Sequence, residues 1–152
     1  MLRWKFAFAL VLPALIAGGF VSISQAAEDW PSWRGPNRDG VADEKGLLKS
    51  WSDGGPNLVW QTEGTGDGFS SVVISKGRLF TMGKQKQGGT AVVAFDITDG
   101  SKLWEASIGG GSPNCTPTTD GEIVLALGRD GDLVCLNAAD GKEIWRKSYK
   151  HD

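Results

Sequence analysis

Chemistry-bearing side chains are scarce in this chain of 152 residues. It contains 1 histidine and 2 cysteines, and its 16 Lys plus Arg are balanced by 18 Asp plus Glu. His151 has no Cys or His companion at ligand spacing, and the sequence holds neither a nucleophile elbow nor a Gly-Lys-Ser/Thr phosphate loop. A net charge of -2 and the lack of a basic run after residue 5 give no reason to expect nucleic acid as a partner. We therefore predict no catalytic, metal or cofactor-binding residues in this chain, and an enzyme is the less favoured class.

Long apolar runs are also absent, except at the start of the chain, where the pattern is that of a secretory signal peptide. Residues 1–26 begin with Arg3 and Lys5, continue in an apolar stretch and end in the small-residue site Ser24-Gln25-Ala26. A retained transmembrane anchor is the alternative, but it needs about 20 unbroken apolar residues. A proline and a glycine pair interrupt this stretch.

We expect this helical signal peptide to be cut between Ala26 and Ala27, because this position leaves small residues at both recognition sites of the export peptidase. The mature chain would then be periplasmic or extracellular, without a membrane span.

One segment of the mature chain occurs twice. The run from Ala94 to Trp104, AFDITDGSKLW, recurs from Cys135 to Trp145 as CLNAADGKEIW, at an offset of 41 residues. Trp60 precedes Trp104 by 44 residues, which extends the pattern upstream. Repeats of this length are typical of solenoids and propellers.

Short β-branched and aromatic runs alternate with Gly-containing turns, which indicates that the repeat is built of strands. The predicted strands are 72–74, 78–82, 92–96 and 102–106 in one unit, and 116–119, 122–127, 132–137 and 142–148 in the next. Asp-Gly pairs separate several of these runs, and we expect them to form tight primed turns with positive φ at the central residues. Four antiparallel strands in about 42 residues are the blade of a β-propeller.

The repeated element resembles the tryptophan-docking motif of the quinoprotein (PQQ-like) repeat family. A small residue, a polar residue, a Gly and a Trp fall at fixed offsets in both copies, which end in Gly100 with Trp104 and in Gly141 with Trp145. The resemblance implies that the Trp of an outer strand packs against the neighbouring blade, and that the Gly turn links the third and fourth strands. It therefore assigns all four residues, together with Trp60, to structural docking between blades.

These observations divide the chain into three regions. Residues 1–26 are the signal peptide, and residues 27–52 are an irregular leader whose Trp-Pro-Ser-Trp-Arg-Gly segment resembles the opening of many exported PQQ-like propeller proteins. Residues 53–152 are an incomplete propeller, with an orphan strand at 57–62, a blade at 70–107 and a blade at 116–149. The expected fold is all-β, a partial PQQ-like β-propeller of about two four-stranded antiparallel blades plus the orphan strand.

The number of blades is smaller than a closed propeller needs, because closed rings use about 4 to 8. We consider three explanations: an N-terminal fragment, a truncated gene product, and a protomer that closes only with other copies. In each of them, open blade edges and an apolar flank invite a protein partner, the missing blades or self-association.

The two cysteines are expected to lie apart. The predicted strands separate Cys115 and Cys135 by two strand spacings, roughly 9.6 Å, whereas a disulfide spans at most about 7 Å between Cα atoms. Cys135 also stands where the earlier repeat has Ala94, which favours a small buried thiol.

Two functions from different classes are compatible with the family. One is a non-catalytic exported scaffold or protein-binding module, similar to the PQQ-like propeller of the outer-membrane β-barrel assembly factor. The alternative is an N-terminal fragment of a PQQ-dependent quinoprotein dehydrogenase, in which blades absent from this sequence would hold pyrroloquinoline quinone (PQQ) and calcium. The adjacent cysteines that such dehydrogenases carry are absent from this sequence. We favour the scaffold, and a variant in which Trp30 and Trp33 stack on sugar rings is less favoured than a packed leader.

Overall fold

The computed structural model describes residues 29–150, whose regular elements are eight strands. The predicted signal peptide with Ala26 and Ala27, and also His151, lie outside the described residues. In chain order the strands are β1 (Val73–Ser75), β2 (Arg78–Lys84), β3 (Thr90–Asp96), β4 (Lys102–Gly109), β5 (Thr118–Thr119), β6 (Ile123–Leu127), β7 (Asp132–Asn137) and β8 (Glu143–Ser148). The described residues include no helix that is long and apolar enough to cross a membrane.

The strands form two four-stranded antiparallel sheets, in the orders β1-β2-β3-β4 and β5-β6-β7-β8. Each strand pairs with its sequence neighbour, which is the meander of a propeller blade. The repeat also appears in the register, since Ala94 pairs with Trp104 in the first sheet and Cys135 with Trp145 in the second. The predicted partial propeller of two blades is confirmed, and we call the two sheets blade 1 and blade 2.

The turns of the hairpins differ from the expected type. Lys76-Gly77 has positive φ at both central residues, 47° and 74°, as a primed two-residue turn requires. At Asp99-Gly100 the glycine alone has positive φ, and four residues separate Asp96 from Ser101, whose C=O accepts the Asp96 N–H. The carboxylate of Asp99 accepts the N–H of Ser101, which stabilises this longer loop, and Asp140-Gly141 repeats it. The prediction of primed turns at these Asp-Gly pairs was therefore wrong.

One hydrophobic core runs through both blades. Phe80, Val92 and Ala94 of blade 1 and Val124 and Leu136 of blade 2 belong to the same buried cluster. Each large side chain buried in this way contributes about 1.5–3 kcal/mol. The seam between the blades is therefore part of the core.

The expected orphan strand at 57–62 is not a strand in the structure. No other strand of the described region lies beside it to supply backbone partners. The segment is instead tied to blade 1 through the side chain of Trp60, whose indole N–H donates to the Ile97 C=O at 2.9 Å. A hydrogen bond from a side chain does not require the extended backbone that pairing with another strand requires.

The described part of the leader is irregular, as expected, but its first residues join the two blades. Trp30 exchanges two backbone hydrogen bonds with Ile74 of β1, at 2.8 and 2.9 Å, and the C=O of Pro31 accepts the N–H of Thr119 in β5 at 2.9 Å. Residues 29–31 thus lie between the first strands of blades 1 and 2. The ring of Trp30 is half-buried over Gly35, whereas Trp33 is exposed.

Candidate docking sites at the blade seams

Trp104 projects from β4, the outer strand of blade 1, onto the loop 138–141 of blade 2. Its indole N–H donates to the C=O of Ala138 at 3.1 Å, and only 9% of the residue is exposed. The ring covers Gly141, where an added Cβ would lie 2.6 Å from Trp104 Cε3. The glycine is therefore required twice, because its φ of 72° is left-handed and its missing side chain makes room for the ring.

Trp60 repeats this geometry one blade earlier, on the loop 97–100 of blade 1. Its indole N–H donates to Ile97 C=O, and a Cβ on Gly100 would lie 2.5 Å from Trp60 Cε3. Ile97 and Ala138 occupy equivalent positions of the repeat, as do the two glycines. We call the loops 97–100 and 138–141 the first and second docking loops.

Trp145 is the third tryptophan of the series, and it occupies no docking loop of the described chain. It lies on the outer strand β8 and is 44% exposed. Its cross-strand neighbour is Cys135, as Ala94 is the neighbour of Trp104. The described chain thus presents three docking tryptophans and two docking loops.

A polar bridge supports the seam beside the core. Arg146 of β8 reaches back to blade 1 and donates to the C=O of Ile108 at 2.9 Å, while Glu143 holds its guanidinium at 2.8 Å. Asp132 lies 3.8 Å from Arg146 and pairs more closely with Lys150, at 2.9 Å. The hydrogen bond from Lys150 lowers the pKa of Asp132, with further lowering by a Ser148 hydrogen bond and by the charge of Arg146.

The sequence analysis missed Arg146, although one signal was available. The repeat places Glu105 at the corresponding position of blade 1, so the charge reverses between the two copies. The repeat also places Lys102 at the position of Glu143, so both blades keep an ion pair with its charges exchanged. The exchange puts the cation of blade 2 where it reaches the C=O of Ile108 in blade 1.

The β1–β2 and β5–β6 hairpins carry opposite charges at their turns. Lys76 and Arg78 stand at the first, which we call the basic tip, and Asp120 and Glu122 stand at the second, the acidic tip. The two tips meet at the seam, where Lys76 and Glu122 form an ion pair. The hydrogen bond to Glu122 raises the pKa of Lys76. Since both side chains are largely in solvent, this pair orients the tips more than it stabilises the fold.

The cysteines lie in different surroundings. Cys115 is exposed, Cys135 is buried, and both are free thiols. Burial raises the pKa of the Cys135 thiol, as its place in the sheet next to Trp145 would lead one to expect.

The metal-ligating side chains of the described region lie apart from one another. Within residues 29–150, no three His, Cys, Asp or Glu side chains are grouped so that they could hold a metal ion. The two cysteines also lack the adjacent placement of the quinoprotein dehydrogenases.

A shallow polar groove of about 730 Å³ lies between the segment 62–67 and the turn 84–87. Its charged lining has both signs, with Lys84, Lys86 and Lys102 facing Glu63 and Asp67. A groove of mixed charge without aromatic side chains selects no particular class of small ligand.

Comparison with known proteins agrees with this architecture. A family model described as outer membrane protein assembly factor BamB matches residues 38–152. A curated relative, the outer membrane protein assembly factor BamB of Nitrosomonas eutropha, is 36% identical over 107 residues, which are 69% of this chain. The chain spans 24% of the length of that relative.

Two solved structures match parts of the chain. The quinohemoprotein alcohol dehydrogenase ADHIIG from Pseudomonas putida HK5 matches with a TM-score of 0.50 and 17% identity, over 63% of this chain and 15% of its own. BamB from Moraxella catarrhalis matches with a TM-score of 0.43 and 22% identity, over 53% of this chain and 23% of its own. At 17% identity the likeness to the alcohol dehydrogenase concerns the fold alone. The match of the family model over most of the chain shows that this PQQ-like propeller repeat protein belongs to the family of outer membrane protein assembly factor BamB.

Proposed function

We propose that the chain is a non-catalytic exported scaffold that binds proteins during the assembly of outer-membrane proteins. The proposal rests on the exposed edge of the strand β8. It is the last strand of its sheet, all six of its residues are exposed, and Ile144 and Trp145 add apolar surface to it. An edge of this kind can accept an added strand from a partner through backbone hydrogen bonds. The name of the Nitrosomonas relative points to outer-membrane proteins as the assembly substrate.

Direct binding tests this function. The probe is an outer-membrane β-barrel protein kept unfolded in dilute urea, because its strands are free to pair, and the same barrel folded in detergent is the control. We expect the purified chain to bind the unfolded barrel, with slower amide hydrogen exchange at 143–148. Equal binding of the folded barrel, or unchanged exchange at β8, would contradict the proposal.

The blade contacts of Trp60, Trp104, Gly100 and Gly141 support a structural role for these residues in the proposed scaffold. Each indole N–H is used by a backbone C=O of the neighbouring blade. We also propose that the described blades hold no cofactor, since no three metal-ligating side chains are grouped within residues 29–150, and that a dehydrogenase would depend on blades outside this chain.

Export is part of the proposal, and the sequence of residues 1–26 supports it. We expect the mature protein to begin at Ala27 in the periplasm or outside the cell. Mass spectrometry of the chain recovered from the periplasmic fraction checks this, and retention of Met1 in that material would overturn it.

A further inference from the structure

We propose that the leader fills a binding site for an extended acidic segment of a partner protein, and that such a segment can take the leader's place. The site is the space between β1 and β5 that residues 29–31 occupy, and we call it the leader slot. Its walls are Ile74, Ser75 and Lys76 on one side and Thr119 on the other. All four wall residues lie in blades 1 and 2, so the inference needs no further blade, and it does not depend on the scaffold function.

The slot offers backbone groups that any extended chain can use. Ile74 bonds to Trp30 through both its N–H and its C=O, at 2.9 and 2.8 Å, and the Thr119 N–H donates to the Pro31 C=O at 2.9 Å. None of these three bonds involves a side chain of the leader. The slot therefore takes up a strand by its backbone, as in peptide recognition by β-strand addition.

A carboxylate anchor gives the slot its selectivity. The Asp29 side chain accepts hydrogen bonds from the Ser75 hydroxyl and from the Lys76 N–H. Both donors lie at the basic tip, where the charge of Lys76 favours an anion. Ser75 is buried, so a segment that leaves its hydroxyl without an acceptor is disfavoured. The partner must therefore supply a carboxylate one residue before the residue that pairs with Ile74.

The leader can leave the slot as one piece. We call residues 29–40 the leader unit, because they bond to one another beyond residue 31. The Gly35 N–H donates to the Ser32 C=O at 2.9 Å, and the Trp30 ring lies over Gly35. Trp30 is not part of the hydrophobic core that joins the blades. Release of the leader unit therefore keeps its internal contacts and leaves this core closed.

The leader unit also stays near the slot as a competitor. Residues 41–59, between the leader unit and the anchored Trp60, form no strand, so they can follow its movement without breaking a sheet. A tethered competitor of this kind acts at a high effective concentration. The apparent affinity for a partner segment is then reduced to the fraction of chains in which the slot is open.

Fluorescence anisotropy with a synthetic peptide tests the proposal. The probe is the acetylated leader sequence 29–40 with a fluorophore at its C-terminal end, added to the full chain. We expect its dissociation constant to fall at least about tenfold in the chain variant Asp29→Ala, which lacks both bonds of the anchor. Asp43→Ala removes an exposed carboxylate of the leader outside the leader unit, and this control should bind as the wild type does.

A second variant loosens the leader in a different way. In Gly35→Ala, the added Cβ would lie 2.7 Å from the Trp30 ring, so the leader unit must distort and the peptide should again bind more tightly. Both substitutions lie in the leader and leave every wall residue of the slot unchanged.

The peptide itself tests the recognition of the carboxylate. An Asp29→Asn peptide should bind the Asp29→Ala chain at least about tenfold more weakly than the unchanged peptide, because a neutral acceptor forms weaker hydrogen bonds. Equal affinities of the two peptides would contradict the assigned acidic specificity.

Amide hydrogen exchange locates the bound peptide. Exchange at Ile74 and Thr119 should be faster in Asp29→Ala than in the wild type, and saturating peptide should slow it again. Absence of peptide binding to both leader variants, or binding without protection of these two amides, overturns the proposal. If Gly35→Ala dimerises in sedimentation velocity and excludes the peptide, the slot takes the leader of a second copy and the proposal is wrong.

Discussion

Trp104 and Trp145 share one position of the repeat but have opposite surroundings, which makes them a matched pair for mutation. Trp104 is buried in the seam, and Trp145 is partly exposed. Loss of a buried Trp costs about 3–5 kcal/mol, which is a large share of the stability of a small domain. We expect Trp104→Ala to abolish cooperative unfolding and Trp145→Ala to change it little, as measured by urea titration at a dilution where the chain is monomeric. Equal losses, or a larger loss at Trp145, would mean that the assigned blade order is wrong.

Two glycines separate the energetic cost of left-handed backbone from the cost of filling a docking loop. Gly77 and Gly141 have nearly equal φ, 74° and 72°, but an added Cβ meets nothing within 4 Å at Gly77 and meets the ring of Trp104 at Gly141. We expect Gly77→Ala to lower the free energy of unfolding by about 1–2 kcal/mol. Gly141→Ala should lower the free energy of unfolding by about 1–3 kcal/mol more, because the ring of Trp104 must shift.

Thermal or urea unfolding of the two glycine variants measures this difference directly. Adding Trp104→Ala to Gly141→Ala removes the clashing ring, so the two losses should not be additive. Additive losses would show that the ring and the glycine act independently.

At the scale of strands and turns, the sequence predicted all eight strands, because short β-branched and aromatic runs alternate with Gly-containing turns. The Asp-Gly turns were harder to predict, since the same two residues serve a two-residue and a four-residue loop. The choice depends on a hydrogen bond such as that from Ser101 to the carboxylate of Asp99. The prediction of a strand at 57–62 was wrong for a different reason. Apolar residues form a strand only where a partner strand exists, and none lies beside this segment in the described region.

The docking residues could be named because the Trp and Gly positions repeat in the sequence, but which glycine each ring covers is visible only in the structure. The contacts of Asp29, which accepts hydrogen bonds from Ser75 Oγ and the Lys76 N–H, could not, since a single copy leaves no repeat to compare. Arg146 lies between these cases, because its departure from the repeat is visible while its acceptor on β4 is not.

The polar bridge on β7 and β8 predicts how stability depends on pH. The folded chain holds the pKa of Asp132 below its ordinary value of 3.8, chiefly through Lys150. The contribution of this carboxylate is therefore complete above about pH 4 and is lost as the pH falls through its lowered value. We expect Asp132→Asn to be less stable than the wild type at pH 7 and to lose less stability between pH 5 and pH 2.

Urea midpoints at several pH values check this expectation, with the exposed Asp53→Asn as the control. The control should follow the wild-type profile throughout. A parallel profile for Asp132→Asn would show that Asp132 does not contribute to the acid sensitivity.

For the whole molecule, the grouping of donors predicts the response to a redox cofactor. We expect the purified chain neither to bind PQQ at micromolar concentration in the presence of calcium nor to oxidise alcohols or sugars with it. Quenching of the tryptophan fluorescence by added PQQ, with a calcium-free sample as reference, measures binding. Saturable quenching that requires calcium would favour the dehydrogenase alternative over the scaffold.

The leader residues that join the blades also determine the order in which the molecule folds. Trp30 pairs with Ile74, 44 positions later, and Pro31 accepts its hydrogen bond from Thr119, 88 positions later. Contacts between such distant positions form slowly, because closing a long loop costs entropy before the contact contributes any stabilising free energy. Each blade is made of neighbouring hairpins and can form early, whereas the leader stays unattached to β5 until blade 2 has been synthesised. The last step of folding is therefore the attachment of residues 29–31 to the two blades, after both blades have formed.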